Sequence, residues 1–180
     1  MPVDPASLHI RTYPDAVLRR KATPVPKGEN LGGVVERMFQ IMVEEKGIGL
    51  AAPQVGLSWR LFVLDVPPPE DEEEEEHPTH SDGRMVFVNP VLSKPVGSPE
   101  GESEGCLSLP NIRGEVLRAP VITVSAHDEH GSPFTLTAGG LLARCIQHEF
   151  DHLEGVLIID RMTQMSRIKN RAAIKDLERE

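Results

Sequence analysis

Five consecutive residues near the C-terminus, His148-Glu149-Phe150-Asp151-His152, constrain this chain more than anything else in it. Two histidines four apart share one face of a helix, a turn from each other. Their imidazoles can converge on one metal ion, and the glutamate between them can reach a water held by that ion. The flanking sequence agrees with a helix. From Thr137 to Glu154 the apolar residues Leu141, Leu142, Cys145, Phe150 and Leu153 recur at helical spacing, and Gly155 supplies a stop. A solvated helix carrying the pattern by chance would lack this apolar flank, so the histidines are expected to edge a buried surface.

A catalytic zinc site takes three protein ligands and keeps a fourth position for water, so one more donor is needed. One group of proteases supplies a further histidine three residues after a glycine. Here that glycine is Gly155 and the residue is Ile158, which cannot coordinate a metal. A downstream glutamate would have to come from the short tail. Two cysteines remain. Cys106 lies in Glu104-Gly105-Cys106-Leu107-Ser108-Leu109-Pro110, read as a loop whose glycine permits close approach to another element, and it is the preferred ligand. Cys145, three residues before His148 on much the same face, is its competitor and reads more simply as a buried thiol.

Composition narrows the class. The chain of 180 residues fits one domain, and at 39% hydrophobic with 4% aromatic residues it fills its core with aliphatic side chains. No apolar run approaches the roughly 18 residues of a membrane span, and Met1 to Pro5 does not resemble a signal peptide. Seven consecutive acids, Glu70 to Glu76, account for most of the net charge of −9. Neither a broadly basic nucleic-acid surface nor a disulfide framework is present.

Along the chain, the stretch around Tyr13-Pro14-Asp15 reads as extended and then turning. A helix is expected from Asn30 to about Lys46 on the spacing of Val34, Met38, Ile41 and Met42, with Asn30 as cap and Gly47 as stop. A glycine-rich loop, 47–56, leads to a strand at Trp59 to Val66. Residues 67–83 read as a flexible acidic insertion. Strands follow at Met85 to Asn89, near Glu115-Val116-Leu117, at Val121 to Ala126 and at Thr135-Leu136. Val156 to Ile159 is short and apolar, and residues 164–180 read as a helical tail. Strands in the middle and helices towards both ends make a single α+β domain.

Three motifs together resemble the peptide deformylase family: Gly47-Ile48-Gly49-Leu50-Ala51-Ala52-Pro53-Gln54, Glu104-Gly105-Cys106-Leu107-Ser108 and Gln147-His148-Glu149-Phe150-Asp151-His152. They occur in the family's order, and the likeness extends to Tyr13-Pro14-Asp15 and to Gly139 through Asp160. The resemblance implies mixed or antiparallel strands wrapped around a central metal-binding helix. It implies Cys106, His148 and His152 as ligands and Glu149 as the base and later acid in removing the formyl group from an N-terminal methionine. Gln54, by its side-chain amide, and Leu107, by its backbone N–H, would donate to the formyl oxygen. Gly49 would let the substrate backbone lie alongside. Ile48, Leu141 and Cys145 would wall the methionine pocket with the His148 ring at its base, and Arg113 would contact substrate. Without the resemblance Gln54 reads as an exposed turn residue. Arg144, at the neighbouring helical position, reads as a solvated arginine rather than an edge of that pocket.

The resemblance further implies ferrous iron in the cell, with zinc, nickel or cobalt accepted, and formyl-methionyl nascent peptides as substrates. Arg167, Lys169, Arg171 and Lys175 in the tail offer a small basic face for transient ribosome association, diluted by Asp176, Glu178 and Glu180. No sequence-specific nucleic acid or membrane partner is expected. A bacterial source implies the cytoplasm, a eukaryotic one an organelle. The competing classes are a zinc peptidase and a metal-stabilised binding domain. The first leaves the two other motifs unexplained, and the second needs neither Glu149 nor Gln54.

Overall fold

A computed structural model describes residues 3–70, 75–93 and 95–179. The elements are helix α1 (Gly32–Glu44), strands β1 (Gly49–Ala51), β2 (Leu61–Leu64), β3 (Met85–Leu92), β4 (Glu100–Cys106), β5 (Leu109–Arg118), β6 (Val121–His127) and β7 (Pro133–Gly139), then helices α2 (Gly140–Leu153), α3 (Ile158–Arg161) and α4 (Gln164–Leu177). Five strands form one antiparallel sheet in the order β1-β2-β3-β6-β7, and β4 and β5 form a separate hairpin. The result is a single α+β domain with the predicted histidine helix against the larger sheet.

Side-chain alternation explains that arrangement. Successive residues of a strand point to opposite faces, and β2 is apolar on both. Leu61 and Val63 join the cluster that holds Val34, Met38 and Met42 of α1. Phe62 and Leu64 join Leu142, Ala143 and Ile146 of α2 on the other face. Phe62 stacks on its cross-strand partner Phe87 with ring centroids 4.6 Å apart. The sheet is therefore covered by α1 on one side and by α2 on the other. A third cluster unites Leu109, Ile112 and Val116 of β5 with Leu157, Ile158 and Ile159, and Ile174 and Leu177 of α4 pack against it.

Several boundaries differ from the sequence expectations. The glycine-rich loop contains an edge strand, β1, and a 3-10 turn, Ala52–Val55. At the end of α1 the left-handed residue is Lys46 (φ 57°), and Gly47 follows it, its amide donating back to Met42 O at 2.8 Å. The expected loop from Glu104 to Pro110 instead holds the end of β4 and the start of β5, although Glu-Gly-Glu-Ser-Glu-Gly-Cys carries no strand-favouring residue. Pairing with β5 overrides that preference. Helix α2 starts three residues later than expected, since Thr137 and Ala138 pair with Thr123 and Ile122 in the sheet. Its stop is as expected: Gly155 has φ 72°, and a Cβ there would lie 2.5 Å from Arg19 O.

The segment read as an acidic insertion joins two adjacent strands. Residues 71–74 of its acidic run lie outside the described residues. Its second half caps the histidine helix: Pro78 O accepts from Gly139 N at 3.0 Å and Thr79 O from Leu142 N at 2.9 Å. Those contacts occupy N–H groups that a helix start leaves without partners. The tail helix lies along β5, where Asn170 donates to Arg113 O at 2.8 Å and Glu115 N to Ser166 Oγ at 2.9 Å. None of the helices formed by the described residues is long and apolar enough to cross a membrane.

Tyr13 ties the start of the chain to the tail, its hydroxyl donating to Glu178 Oε1 at 2.8 Å. That bond, and then partial burial, raise the phenol above its usual pKa. The stabilisation from this bond is present below the ordinary tyrosine value of about 10 and is lost as pH rises through the raised one. Tyr13 is the only tyrosine in the chain, so its ultraviolet titration reads it alone. Glu178→Ala is expected to lower the midpoint, and an unchanged midpoint would show that the bond does not form in solution.

Candidate active site

Strand β4 ends on Cys106, and α2 carries His148 and His152 one turn apart. The hairpin and the helix bring one donor atom of each residue to within 4.8 Å of the others, and this is the cluster of metal-binding donors among the described residues. Cys106 Sγ and His152 Nε2 are 3.4 Å apart. Tetrahedral zinc with Zn–S of about 2.3 Å and Zn–N of about 2.0–2.1 Å would separate such atoms by about 3.6 Å. The donor set therefore fits a divalent ion with little adjustment.

Around the donors the charges are fixed by their neighbours. His148 Nδ1 lies 3.0 Å from Glu104 Oε2, which leaves Nε2 for a metal. Burial opposes a charge on His148, but its contacts with Cys106 and Glu104 outweigh that and raise its pKa well above the usual value. Burial and then the neighbouring His148 push His152 well below it, and His152 Nδ1 has no partner. Glu104 is itself held by Arg118, whose Nε and Nη2 each donate to it at 2.9 Å, so its carboxyl stays well below the ordinary range despite burial. Arg118 Nη1 continues to Asp151 at 2.5 Å, and Asp151 accepts from Arg161 at 2.8 Å.

Glu149 takes no hydrogen bond at Oε2 from this network. It is 3% exposed, its Oε2 has no hydrogen-bond partner, and burial raises its pKa to about 7, with His148 acting in the opposite sense. Gln54 is buried, not the exposed turn residue that its sequence surroundings suggest. Its Oε1 accepts from Ala51 N at 2.8 Å, which turns the NH₂ group towards Ser108 Oγ at 3.3 Å and Cys106 Sγ at 3.6 Å. Leu107 sits in the turn between β4 and β5.

These groups line one cavity of about 570 Å³. Ile48, Gly49, Gln54, Leu107 and Arg113 border it, as do Leu141, Cys145, His148 and Glu149. His152 is buried behind them. Leu141, an apolar partner of the helix that the resemblance expects on the pocket wall, is 42% exposed and stands on the cavity wall. Cys145 is outside the donor cluster, and burial followed by the nearby Glu149 charge raises its thiol well above the usual value. Geometry therefore selects Cys106, whose Sγ joins the two imidazoles, over Cys145. Arg113 is exposed and donates to Ser103 O at 3.3 Å.

Sequence reasoning did not find Glu104, Arg118, Asp151 or Arg144 as partners of the site. Arg144 is 7% exposed and bonded to the hairpin, which overturns its reading as a solvated residue. Glu104 and Asp151 stand inside the quoted motifs, Glu104 two residues before Cys106 and Asp151 next to His152. Arg118 and Arg144 gave no signal, because only the tertiary structure brings their partners near.

Comparison with known proteins agrees with this geometry. The family described as polypeptide deformylase matches residues 7–168. A peptide deformylase of Tolumonas auensis is 43% identical over 175 residues, covering 97% of this chain and 98% of that protein. The solved peptide deformylase of Plasmodium falciparum superposes with a TM-score of 0.84 at 38% identity, covering 95% of each chain. That of Synechococcus elongatus, in complex with actinonin, gives 0.80 at 40% identity, covering 94% of this chain and 86% of that one. With its metal-ligand triad on the central helix and neighbouring hairpin, and with this likeness along nearly its whole length, the chain belongs to the peptide deformylase family.

Proposed function

We propose that this chain hydrolyses the N-formyl amide of formyl-methionyl nascent peptides, releasing formate and a free amine. The observation that carries the reading is the meeting of three metal donors, an unpartnered buried carboxylate and an oriented amide at one cavity. A divalent ion held by Cys106, His148 and His152 supplies a Lewis acid and a water of lowered pKa. Glu149 takes the attacking water's proton at Oε2 and returns it to the departing amine. A base with a pKa near the working pH suits both transfers. Gln54 Nε2 and the Leu107 N–H donate to the formyl oxygen as negative charge grows there.

Substrate positioning falls to the cavity walls. Strand β1 is an edge strand, so its backbone can take an extended peptide alongside Gly49. Ile48, Leu141, Cys145 and the His148 ring receive the methionine side chain, and Arg113 at the rim contacts the residues that follow. A Cβ at Gly49 would stand 2.5 Å from Glu149 Oε1 and 2.9 Å from Cys145 Sγ. Gly49→Ala is therefore expected to lower kcat/KM by roughly a hundredfold, the scale of an ångström misplacement, with metal content unchanged. Parent-like kinetics would show that the carboxylate tolerates displacement.

The deciding experiment is formate release from formyl-Met-Ala-Ser by protein purified without oxygen and loaded with ferrous iron or nickel. Release supports the reading. No release from folded, fully metallated protein that instead cleaves an unformylated peptide would make it a peptidase. We take ferrous iron as the ion in the cell, although thiolate and imidazole donors also suit zinc, nickel or cobalt. The iron form should lose activity on aeration, and an aerated iron form that keeps full activity contradicts that choice. The exposed Arg167, Lys169, Arg171 and Lys175 of α4 are the proposed contact for transient ribosome association. Co-sedimentation that survives removal of residues 164–180 would exclude it. The expected compartment is the cytoplasm for a bacterial source and an organelle for a eukaryotic one, which fractionation of the native cells decides.

A further inference from the structure

Four acceptors of the β4–β5 hairpin converge on one side chain of the histidine helix. Arg144 stands one turn before His148 on α2. Its Nη1 donates to Glu104 Oε1 and to Val116 O, each at 2.9 Å, and its Nη2 to Glu100 O at 2.8 Å. Its Nε lies 3.4 Å from Glu102 Oε2. Glu100, Glu102 and Glu104 belong to β4, which ends on Cys106, and Val116 belongs to β5. One guanidinium thus joins the helix bearing two metal ligands to the hairpin bearing the third.

Apolar packing does not make that joint. The buried apolar residues of α2 belong to the cluster of the five-stranded sheet, whereas those of β5 belong to the cluster with α3 and α4. Among the described residues, no member of α2 lies in the hairpin's cluster, and no member of β4 or β5 lies in that of α2. The metal donors come from both sides of this seam, and Cys106 packs on the hairpin's side. Across it the bonds are polar: Arg144 to the hairpin, Arg118 to Asp151, and His148 to Glu104. Gln147 adds a pair of bonds to the backbone of Ala119, just beyond β5.

Two apolar clusters meeting at a polar seam can slide with little change in buried area. A planar guanidinium with several fixed acceptors cannot follow without losing bonds. Metal coordination tolerates errors of only about 0.2 Å in ligand position. We propose that Arg144 is a positioning residue of the metal centre, holding the Cys106 hairpin in register with His148 and His152 before the ion arrives. It also steadies Glu104, which orients the His148 ring. Without Arg144 the ion itself must impose the register, and part of its binding free energy goes to that ordering. Partners behind metal ligands typically change affinity by about 10–100-fold when removed.

The test needs no turnover. It rests on the Cys106–His148–His152 site alone, so failure of the deformylase reading would leave it intact. The full chain, stripped of metal, is titrated with cobalt(II) against a competing chelator and followed by thiolate-to-cobalt absorption. Arg144→Met should weaken cobalt binding by about 10–100-fold, and Arg144→Lys, which keeps the charge but not the fork, should restore part of the loss. Ile146→Val, buried on the sheet side of α2, serves as the control. It should lower thermal stability while leaving the cobalt affinity at the parent value. Parent-like affinity in folded Arg144→Met protein overturns the proposal. Equal weakening in Ile146→Val also overturns it, because affinity would then merely follow stability. Should Arg144→Met fail to fold, Arg144→Lys carries the same test, and unchanged affinity there overturns it.

Discussion

Replacing Glu149 by glutamine is expected to cut formate release by about 10²- to 10⁴-fold, the range contributed by a positioned acid–base group. The amide keeps the size of the side chain and removes its ability to take a proton. Metal content should not change, because Glu149 lies outside the donor cluster of Cys106, His148 and His152. Its position makes the expectation large. The carboxylate is buried, its Oε2 has no partner among the described residues, and the cations that act on it, His148 and then Arg118, are bonded to Glu104. An unpaired buried carboxylate costs stability, and a fold keeps one where it is used. Single-turnover formate release, with metal measured on the same sample, separates lost chemistry from a lost ion. A metallated Glu149→Gln protein within tenfold of the parent rate would remove Glu149 as the base.

The largest expected loss of stability follows Arg118→Met. Arg118 is 5% exposed and makes two bonds to Glu104 and one to Asp151, both of them buried. Removing one partner of a buried ion pair costs about 3–5 kcal/mol, since the charges left behind can neither rejoin water nor find equal partners. Arg144 still reaches Glu104 and Arg161 still reaches Asp151, which favours the lower end of that range. For a chain of this size the loss corresponds to a Tm lower by roughly 6–20 °C. Arg84→Met is the contrast. Its pair with Glu36 is about half exposed on both sides and should matter by less than about 1 kcal/mol. Thermal unfolding of both variants with metal bound tests the comparison. A shift in Arg118→Met no larger than in Arg84→Met would mean that solvent reaches the network.

The two predictions bear on different parts of the same design. Glu149 has a free oxygen because the cations nearby are engaged with Glu104 and Asp151. The network thus gives the histidine helix its fixed charges while leaving one carboxylate without a salt-bridge partner.

Local sequence was enough to identify what depends on neighbours within a few residues. The helical recurrence of apolar residues around His148 and His152 pointed to a helix, where residues four apart stand one turn apart on one face. The apolar spacing of Val34, Met38, Ile41 and Met42 likewise named the buried side of α1, and Gly155 named the end of α2 through its left-handed conformation. The glycine beside Cys106 and the apolar flank around Cys145 already favoured Cys106 as the ligand. Gln54 required motifs from three distant segments taken together.

Tertiary structure alone decided the rest. Strand β4 exists because β5 pairs with it, not because its residues favour extension. Thr137 and Ala138 went to the sheet instead of the helix because Thr123 and Ile122 offered partners. Gln54 became a directed donor only when Ala51 fixed its oxygen. Arg118 and Arg144 became buried because acceptors from two strands and a helix gathered around them. Periodicity records which side of an element is dry. It does not record which distant charges meet there, since those pairings depend on how the elements pack and leave no local trace in the order of residues.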